Sequence, residues 1–593
     1  MANTVYLEVY TTYEDYLKSS TVELPLVSFI TYSIYKYCSP EEVILKFVPV
    51  MKLAKDSLKL NCTDDILFEN ASNLLWQVSS CVYPVVLYDD TVITGLCAVA
   101  RHISKYRSSI RSPHEHEEGL LGFRKTCLQA PNEVSTWTKL CEVDVIKTVK
   151  EVLSMNELHE VPENIVRFEN HLSKPVRVHN VYKIARDIKK ETLKAKNKNE
   201  EVVIKEMSEA TAKKTRVRKT RKWKSKAKKE LLIDSSTKIE DLDLSHQFAE
   251  GPFLTLADIV LLPSYYILIQ SLGESIFDTQ LPLTYKWYKN IMDIPEVKVL
   301  SKVLNGLQCK PLLIQDVVVP CAPKIHNPKK RLFTKEEDIE NALSTLMDGM
   351  ALEVISNEFE NRINWSEIPD GANPSAGHLP DERQARKSWQ LENLALAVLE
   401  IAKEEDLIVD FCSGSGHLGI LIAYLLPKCT ILLLENKEQS LLRARKRVHD
   451  MGLKNVYFFQ CNLDFFIGKF DIGIALHACG IASDLVLDKC LKANAKFVLC
   501  PCCYGSLHAT DRLAYPRSNL FKNISIDQYL CIGHAADQTH EEHPLTVRGA
   551  KCMAIIDSDR GRLAEEFGYK VTLSRLKPLS CTPKNNLLVG IPS

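Results

Sequence analysis

The chain has no excess of charge of either sign: 75 Lys and Arg stand against 75 Asp and Glu in 593 residues. No global field therefore draws in nucleic acid, and any such attraction has to be local. Long apolar runs are missing as well. The longest, "IVLLPSYYILI" at 259–269, is too short to cross a bilayer and contains Pro263, so no membrane partner is expected. The opening "MANTVYLEVYTTYEDYL" has neither a basic n-region nor a continuous apolar h-region, which argues against a secretory signal. A disulfide framework is also not indicated, because the 19 cysteines are odd in number and scattered, as suits reduced thiols. The expected setting is cytoplasmic, or nuclear through a basic tract, and several cores are expected from the length.

What is present is sharpest at "VDFCSGSGHLG", residues 409–419. Gly414, Gly416 and Gly419 have G-x-G-x-x-G spacing after the apolar "DLIVDF". This predicts a strand, a tight turn and a helix whose N-terminus a ligand approaches closely. Downstream, helix-like "GHLGILIAYLLP", strand-like "CTILLLEN", helix-like "KEQSLLRARKRVHDMG" and strand-like "VYFFQCN", "FDIGIALHACG" and "KFVLCPCCYG" follow. Helix-like "ASDLVLDKCLKA" separates the last two. Near the end, "KCMAIIDSD" precedes a helix "RGRLAEEFGYK" and strands "VTLSRL" and "NNLLVGIP". Such alternation predicts an α/β fold with an open, mostly parallel sheet covered on both faces. Its ligand would lie at the carboxyl ends of the strands.

A dinucleotide and S-adenosylmethionine both suit that place, and Glu435, about twenty residues after Gly414, can take ribose hydroxyls in either case. The residues before the glycines discriminate. Asp410 ends the strand and Cys412 stands where an early glycine is expected. "VDFCSGSG" resembles motif I of class I methyltransferases, h-h-D-x-G-x-G-x-G, apart from Cys412. The resemblance implies S-adenosylmethionine as cofactor, with Asp410, Cys412, Gly414, Gly416, Glu435 and Asn462 around it. Asn462 stands where class I enzymes often carry an Asp at the adenine edge.

Two strand ends border that crevice. "LHACGIASD" supplies His477, Cys479 and Asp484; "CPCCYG" supplies Cys500, Cys502, Cys503 and Tyr504. His477 is a candidate general base, or a histidine hydrogen-bonded at a strand end. Cys502 or Cys503 is a candidate thiolate nucleophile toward a pyrimidine ring, or a small buried residue under a turn. Convergence of Cys479, Cys500 and Cys503 on zinc is a third reading, but without a second ligand pair at finger spacing no metal is assigned. No N-P-P-Y tetrad is present, which counts against methylation of exocyclic amines.

Upstream, Pro84 opens an apolar strand in a position where a cis bond is accessible. Thr255 and Asp258 form a capping-box-like start to a buried helix. Between Pro84 and Thr255, "KKTRVRKTRKWKSKAKK", Lys213 to Lys229, holds eleven Lys or Arg and no acid. It reads as a solvated linker, a nuclear-localisation signal or an RNA contact to which Trp223 could add stacking.

"IVDFCSGSGHLGI", "ENKEQSLLRARKR", "ALHACGIASD", "CPCCYG" and "PKNNLLVG", with upstream "LLGFRKTCL", "PVRVHN" and "TLADIVLLP", resemble the family of glutathione S-transferase C-terminal domain-containing proteins. The H-A-C-G-x-A-[ST]-D segment is also similar to a tRNA 2′-O-methyltransferase family. The implied layout is a thioredoxin-like domain at 1–115 and an all-α glutathione-transferase-like domain at 116–312 with a disordered insertion at 185–245. A linker with a helix at 313–380 then leads to a Rossmann-like class I methyltransferase domain at 381–593. Where glutathione transferases have E-S-x-A-I or D-S-x-A-I after the proline strand, this chain has Gly95-Leu96, so glutathione conjugation is not expected. The expected function is S-adenosylmethionine-dependent methylation with RNA as the favoured acceptor. The rival is a non-enzymatic adaptor that docks proteins through the transferase-like half.

Overall fold

The computed structural model describes residues 3–51, 57–62, 66–108, 112–129, 136–178, 180–192, 233–321, 335–356, 359, 362–374, 380–539 and 545–593. The tract Lys213–Lys229 lies outside the described residues.

In the carboxyl-terminal half, the strand Leu407–Phe411 lies between Thr430–Glu435 and Ile472–Cys479, both parallel to it. Val456–Gln460 continues the sheet on one side and Lys496–Cys502 on the other, again in parallel. Asn586–Pro592 and Tyr569–Arg575 then add antiparallel strands. The run "ILLL" at 431–434 is apolar throughout because both of its faces are covered. Ile431 and Leu433 belong to one core, Leu432 and Leu434 to the other, as period-2 alternation between two helix layers requires. The predicted helices after the glycines are His417–Leu425, Glu438–Asp450 and Ala482–Ala493.

The end of the chain departs from its sequence reading. "KCMAIIDSD" and the start of "RGRLAEEFGYK" form one helix, Leu545–Glu566. The run Asp557, Ser558, Asp559, Arg560 is fully or almost fully buried inside it, held by partners remote in sequence.

The amino-terminal half centres on Thr4–Val9, parallel to Ile44–Pro49 and antiparallel to Val85–Tyr88, which forms a hairpin with Thr91–Thr94. The Tyr83–Pro84 bond is cis. A helical layer follows, built around Leu256–Leu272, whose Thr255/Asp258 capping box is complete. Asp258 is wholly buried and also accepts hydrogen bonds from the Ala249 amide (2.7 Å) and Trp287 Nε1 (2.8 Å). Among the described residues no single helix is long and apolar enough to cross a membrane; Leu256–Leu272 qualifies only with Glu274–Gln280, across a 103° bend.

The two halves share one sheet of 13 strands. Thr91–Thr94 runs parallel to Val456–Gln460, with Phe458 opposite Thr91 and Gln460 opposite Ile93. The edge at Val456–Gln460 is therefore paired rather than open. Val78, Cys81, Val85, Leu87 and Val92 enter the same core as Val409, Phe411, Leu432 and Phe459. Ion pairs cross the seam, Arg445 to Asp89 (3.0 Å) and Asp90 (2.7 Å) and Lys105 and Arg101 to Glu438, and His449 Nε2 lies 2.6 Å from Asp90 Oδ2.

Candidate cofactor and thiol site

The glycine loop leaves the strand Leu407–Phe411 at the carboxyl edge and enters the helix His417–Leu425. Asp410 is 2% exposed, and its Oδ2 accepts the Gly419 amide at 2.9 Å, tying the strand end to the first turn of the helix. Glu435 Oε2 accepts the Gly414 amide at 2.8 Å and Oε1 accepts the Lys437 amide at 2.9 Å. The acid of the second strand thus holds the glycine turn itself. Cys412, Gly414 and Gly416 have φ of 56°, 57° and 73°. That region is free to glycine but costs an L-residue about 1–2 kcal/mol, so Cys412 carries a strain that the expected glycine would not.

The glycines serve different ends. A Cβ at Gly416 would come within 2.7 Å of Leu433 and one at Gly419 within 2.2 Å of it, whereas one at Gly414 would meet nothing within 4 Å. Gly416 and Gly419 permit close packing of helix on strand; Gly414 faces open space. Ser413 Oγ, beside it, is buried and has no hydrogen-bond partner. An orphaned hydroxyl beside an open glycine fits a polar ligand at this turn. Asn462 caps the short turn after Val456–Gln460 through its Oδ1, which accepts the Leu463 amide at 2.8 Å.

Beyond Asn462 the crevice is closed by the other half of the chain. Asn436, Asn462 and Phe465 line a small cavity together with Cys97, Arg101 and Glu142. Cys97 opens the helix Leu96–Lys105, and its amide donates to Glu142 Oε1 at 3.1 Å. The helix N-terminus, where an anion would otherwise be attracted, already holds a carboxylate from its own chain. A Cβ at Gly95 would lie 2.8 Å from that carboxylate.

Burial pushes the Asp410 carboxyl up to about 7, with the nearby Glu435 charge acting in the same sense and the Gly419 hydrogen bond opposing. A carboxyl raised on folding costs stability once the unfolded group ionises. The cost grows as pH rises from about 4 and levels off above about 7. We expect Asp410→Asn, which keeps an acceptor for the Gly419 amide, to become more stable relative to wild type across that window. Thermal denaturation of both chains at stepped pH measures it; a difference independent of pH would refute the shift.

His477 has φ of 61° and an exposed side chain. Its Nε2 lies 2.9 Å from Gln390 Oε1, while Gln390 Nε2 donates to the Cys581 carbonyl at 2.7 Å. With the amide oriented in that way, His477 carries its proton on Nε2 and leaves Nδ1 as the acceptor. Partial desolvation at the strand end and the Lys387 ammonium lower its pKa below the usual value, which favours the neutral ring. Sequence reading missed Gln390 and Lys387, which sit on the helix Asp381–Ile401; that helix leads directly into the glycine strand, and no local motif marks either residue.

Cys479, Cys502 and Cys503 converge, with all three Sγ atoms within 4.8 Å of one another. Cys500 does not join them: it is buried, and its Sγ donates to the Lys584 carbonyl at 3.6 Å. The zinc reading weighed from the sequence grouped Cys479 with Cys500 and Cys503; in the structure Cys502, not Cys500, stands with the other two. Hydrogen bonds from the Cys502 and Cys503 thiols bring Cys479 down to about 6, while Cys502 is pushed up by its bond to Cys479 and Cys503 by burial. Within this cluster the hydrogen bonds favour the thiolate form of Cys479, with Cys502 and Cys503 as donors to it. Asp484 is not at the crevice; it is fully buried and ion-paired to Arg560.

Residues 386–510 match a family model described as "Methyltransferase domain", the span containing the glycine loop, His477 and the thiols. Among solved structures, an S-adenosylhomocysteine-bound methyltransferase from Podospora anserina aligns with 38% of this chain and 89% of its own. The identity is 14% and the TM-score 0.25. A SAM-dependent methyltransferase from Aquifex aeolicus covers 38% of this chain and 98% of its own at 14% identity and a TM-score of 0.21. Likenesses that slight carry no argument here. Full-length relatives do. The glutathione S-transferase C-terminal domain-containing protein homolog of Drosophila melanogaster is 39% identical over 97% of both chains. The Homo sapiens glutathione S-transferase C-terminal domain-containing protein is 34% identical over 96% of both. With the glycine loop, the paired sheet and the thiol turn all inside the shared length, the chain belongs to the family of glutathione S-transferase C-terminal domain-containing proteins and carries a methyltransferase domain in its carboxyl-terminal half.

Proposed function

We propose that this chain is an S-adenosylmethionine-dependent methyltransferase whose cofactor lies along Gly414, Glu435 and Asn462. The observation that carries the reading is the turn at Gly414: its amide is fixed by Glu435, and its absent side chain leaves open space over the strand end. When bound, the cofactor supplies an electrophilic methyl group on a sulfonium. The residues of this chain do the rest. Asp410 sets the turn, Glu435 offers its remaining lone pairs to ribose hydroxyls, and Asn462 borders the adenine end. His477, with its Nε2 proton held on Gln390, takes the proton of the acceptor at Nδ1.

RNA is the acceptor we place first. Lys387 stands near both His417 and His477, and Arg447 near His417, where their charges disfavour the protonated rings, and the tract Lys213–Lys229 adds a second basic element in the sequence. A cationic rim of this kind binds phosphates without reading bases. Glutathione conjugation is disfavoured by Glu142, whose carboxylate occupies the helix N-terminus that the peptide's γ-glutamyl end would need.

The test is calorimetry of S-adenosylmethionine binding to the full chain, beside Gly414→Asp. Asp tolerates a positive φ better than most residues and would enter open space, so the fold is expected to persist while binding weakens at least 100-fold. Unchanged binding in the variant would place the cofactor elsewhere. No binding by folded wild type would leave the adaptor as the better account.

A further inference from the structure

We propose that Cys479, Cys502 and Cys503 form a three-thiolate site for a thiophilic d10 cation, Zn2+ in the first instance, with its fourth position open on the exposed side of Cys479.

The convergence is built by two departures from regular strand geometry. Successive residues of a strand point to opposite faces, so Cys502 and Cys503 would ordinarily diverge. Cys503 instead has φ of 54°, a left-handed turn that brings its Sγ to the side of Cys502. On the neighbouring strand, the register shifts between Leu476 and Cys479, so that Cys479 stands opposite Cys502. His477, inside that irregularity, also has a positive φ. Non-glycine residues held in this region cost about 1–3 kcal/mol each, and such strain clusters at functional sites. Bulges likewise re-aim side chains next to such sites. Either irregularity alone would leave one sulfur out.

The spacing suits a metal. The Sγ atoms of Cys479 and Cys502 are 3.2 Å apart. Tetrahedral zinc with Zn–S of about 2.3 Å holds its sulfurs roughly 3.8 Å apart, a displacement within the reach of small side-chain rotations. The turn that bears Cys503 is clamped from below: the Tyr504 and Gly505 amides donate to Asp537 at 3.1 and 2.8 Å, and Lys584 Nζ lies 3.1 Å from the same carboxylate. Cys502 is buried, Cys503 half-buried and Cys479 exposed, so one side of the cluster is open. Three protein ligands with one open position are the arrangement in which zinc activates what it binds, rather than only holding a fold. As each metal–sulfur bond forms, the thiol proton leaves to solvent, so uptake releases up to three protons. No electron is transferred.

The site stands whether or not the chain binds S-adenosylmethionine, so the metal is measured without cofactor. The full chain, purified under a non-thiol reductant and stripped with a chelator, is titrated with Zn2+ alone. Bound metal is counted by mass spectrometry, and affinity is read by competition with a chromophoric chelator. One Zn2+ per chain is expected. Cys502→Ser and Cys479→Ser should each weaken binding at least 100-fold, and Cys309→Ser should not. Cobalt in place of zinc should give a thiolate charge-transfer band that those two variants lose. Cys479 is exposed, so its serine variant tests the site even if Cys502→Ser unfolds. A folded wild type that retains no metal would overturn the proposal, as would metal indifferent to Cys479→Ser. A Cys479–Cys502 disulfide in metal-free protein would overturn it in favour of a redox pair.

Discussion

Residues 380–593 expressed alone are expected to aggregate or remain partly unfolded, although they contain the whole methyltransferase motif set. Cutting there removes Val78, Cys81, Val85, Leu87 and Val92, each no more than 7% exposed, from a core they share with Phe411 and Phe459. Buried side chains of this size contribute about 1.5–3 kcal/mol apiece, so the five together approach about 10 kcal/mol. That is comparable to the net stability of an entire domain. The cut also bares the hydrogen-bonding edge of Val456–Gln460, an apolar strand ready to pair with another chain. Size-exclusion chromatography and thermal melting of the fragment beside the full chain decide the matter. A monomeric fragment with a cooperative melt near that of the full chain would show that the shared sheet is dispensable. The cavity at Asn462 gives the seam a functional side, because Cys97, Arg101 and Glu142 wall it from the amino-terminal half.

Arg560→Ala should be among the most damaging single substitutions in the carboxyl-terminal half. Arg560 is 1% exposed. Its Nε and Nη2 donate to the two oxygens of Asp484 at 3.0 and 2.8 Å, and Nη1 donates to Asp557 at 2.9 Å. Tyr515 and Arg517 complete the surroundings of Asp484; Tyr504 and Asn586 complete those of Asp557. Removing the guanidinium takes the Arg560 counter-charge from Asp557 and leaves Asp484 with Arg517, and breaking a buried pair in this way costs about 3–5 kcal/mol. A loss of that size shows as a lowered Tm of the full chain. Burial alone would raise the Asp484 carboxyl, but Arg560 and Arg517 hold it below the usual value. Its stabilising contribution is therefore present above the unfolded pKa near 4 and is lost as pH falls through the lower folded one. Arg560→Lys, which keeps charge without the bidentate fork, should fall between. An Arg560→Ala chain that melts within about 2 °C of wild type would mean the network is not the brace described here.

That brace bears on the crevice. Asp484 lies on the helix that follows the His477–Cys479 turn, and Tyr504 follows Cys503 directly. Both turns are thus anchored to the helix Leu545–Glu566 by one buried network, so a loosened Arg560 should disturb the thiols as well as stability.

The sequence alone determined the local elements whose signals are local. The strand, glycine turn and helix at 407–425 are written in an apolar run followed by G-x-G-x-x-G. The Thr255/Asp258 cap is written in two residues three apart, and Asp410 and Glu435 could be placed at strand ends because alternation and spacing fix them there. Three features were decided only by the tertiary structure. An apolar strand encodes burial but not its neighbour, so nothing in "VYFFQCN" reveals that Thr91–Thr94 pairs with it. Strand periodicity puts Cys500 and Cys502 on one face and Cys503 on the other; the shifted register at Cys479 and the left-handed turn at Cys503 overrule it. Finally, "DSDR" is a charged run that reads as an interruption, because its partners Asp484, Tyr504, Ser518 and Asn586 lie tens of residues away. Charges become core residues only when the fold brings their counter-charges to them, and that pairing has no periodicity for a sequence to display.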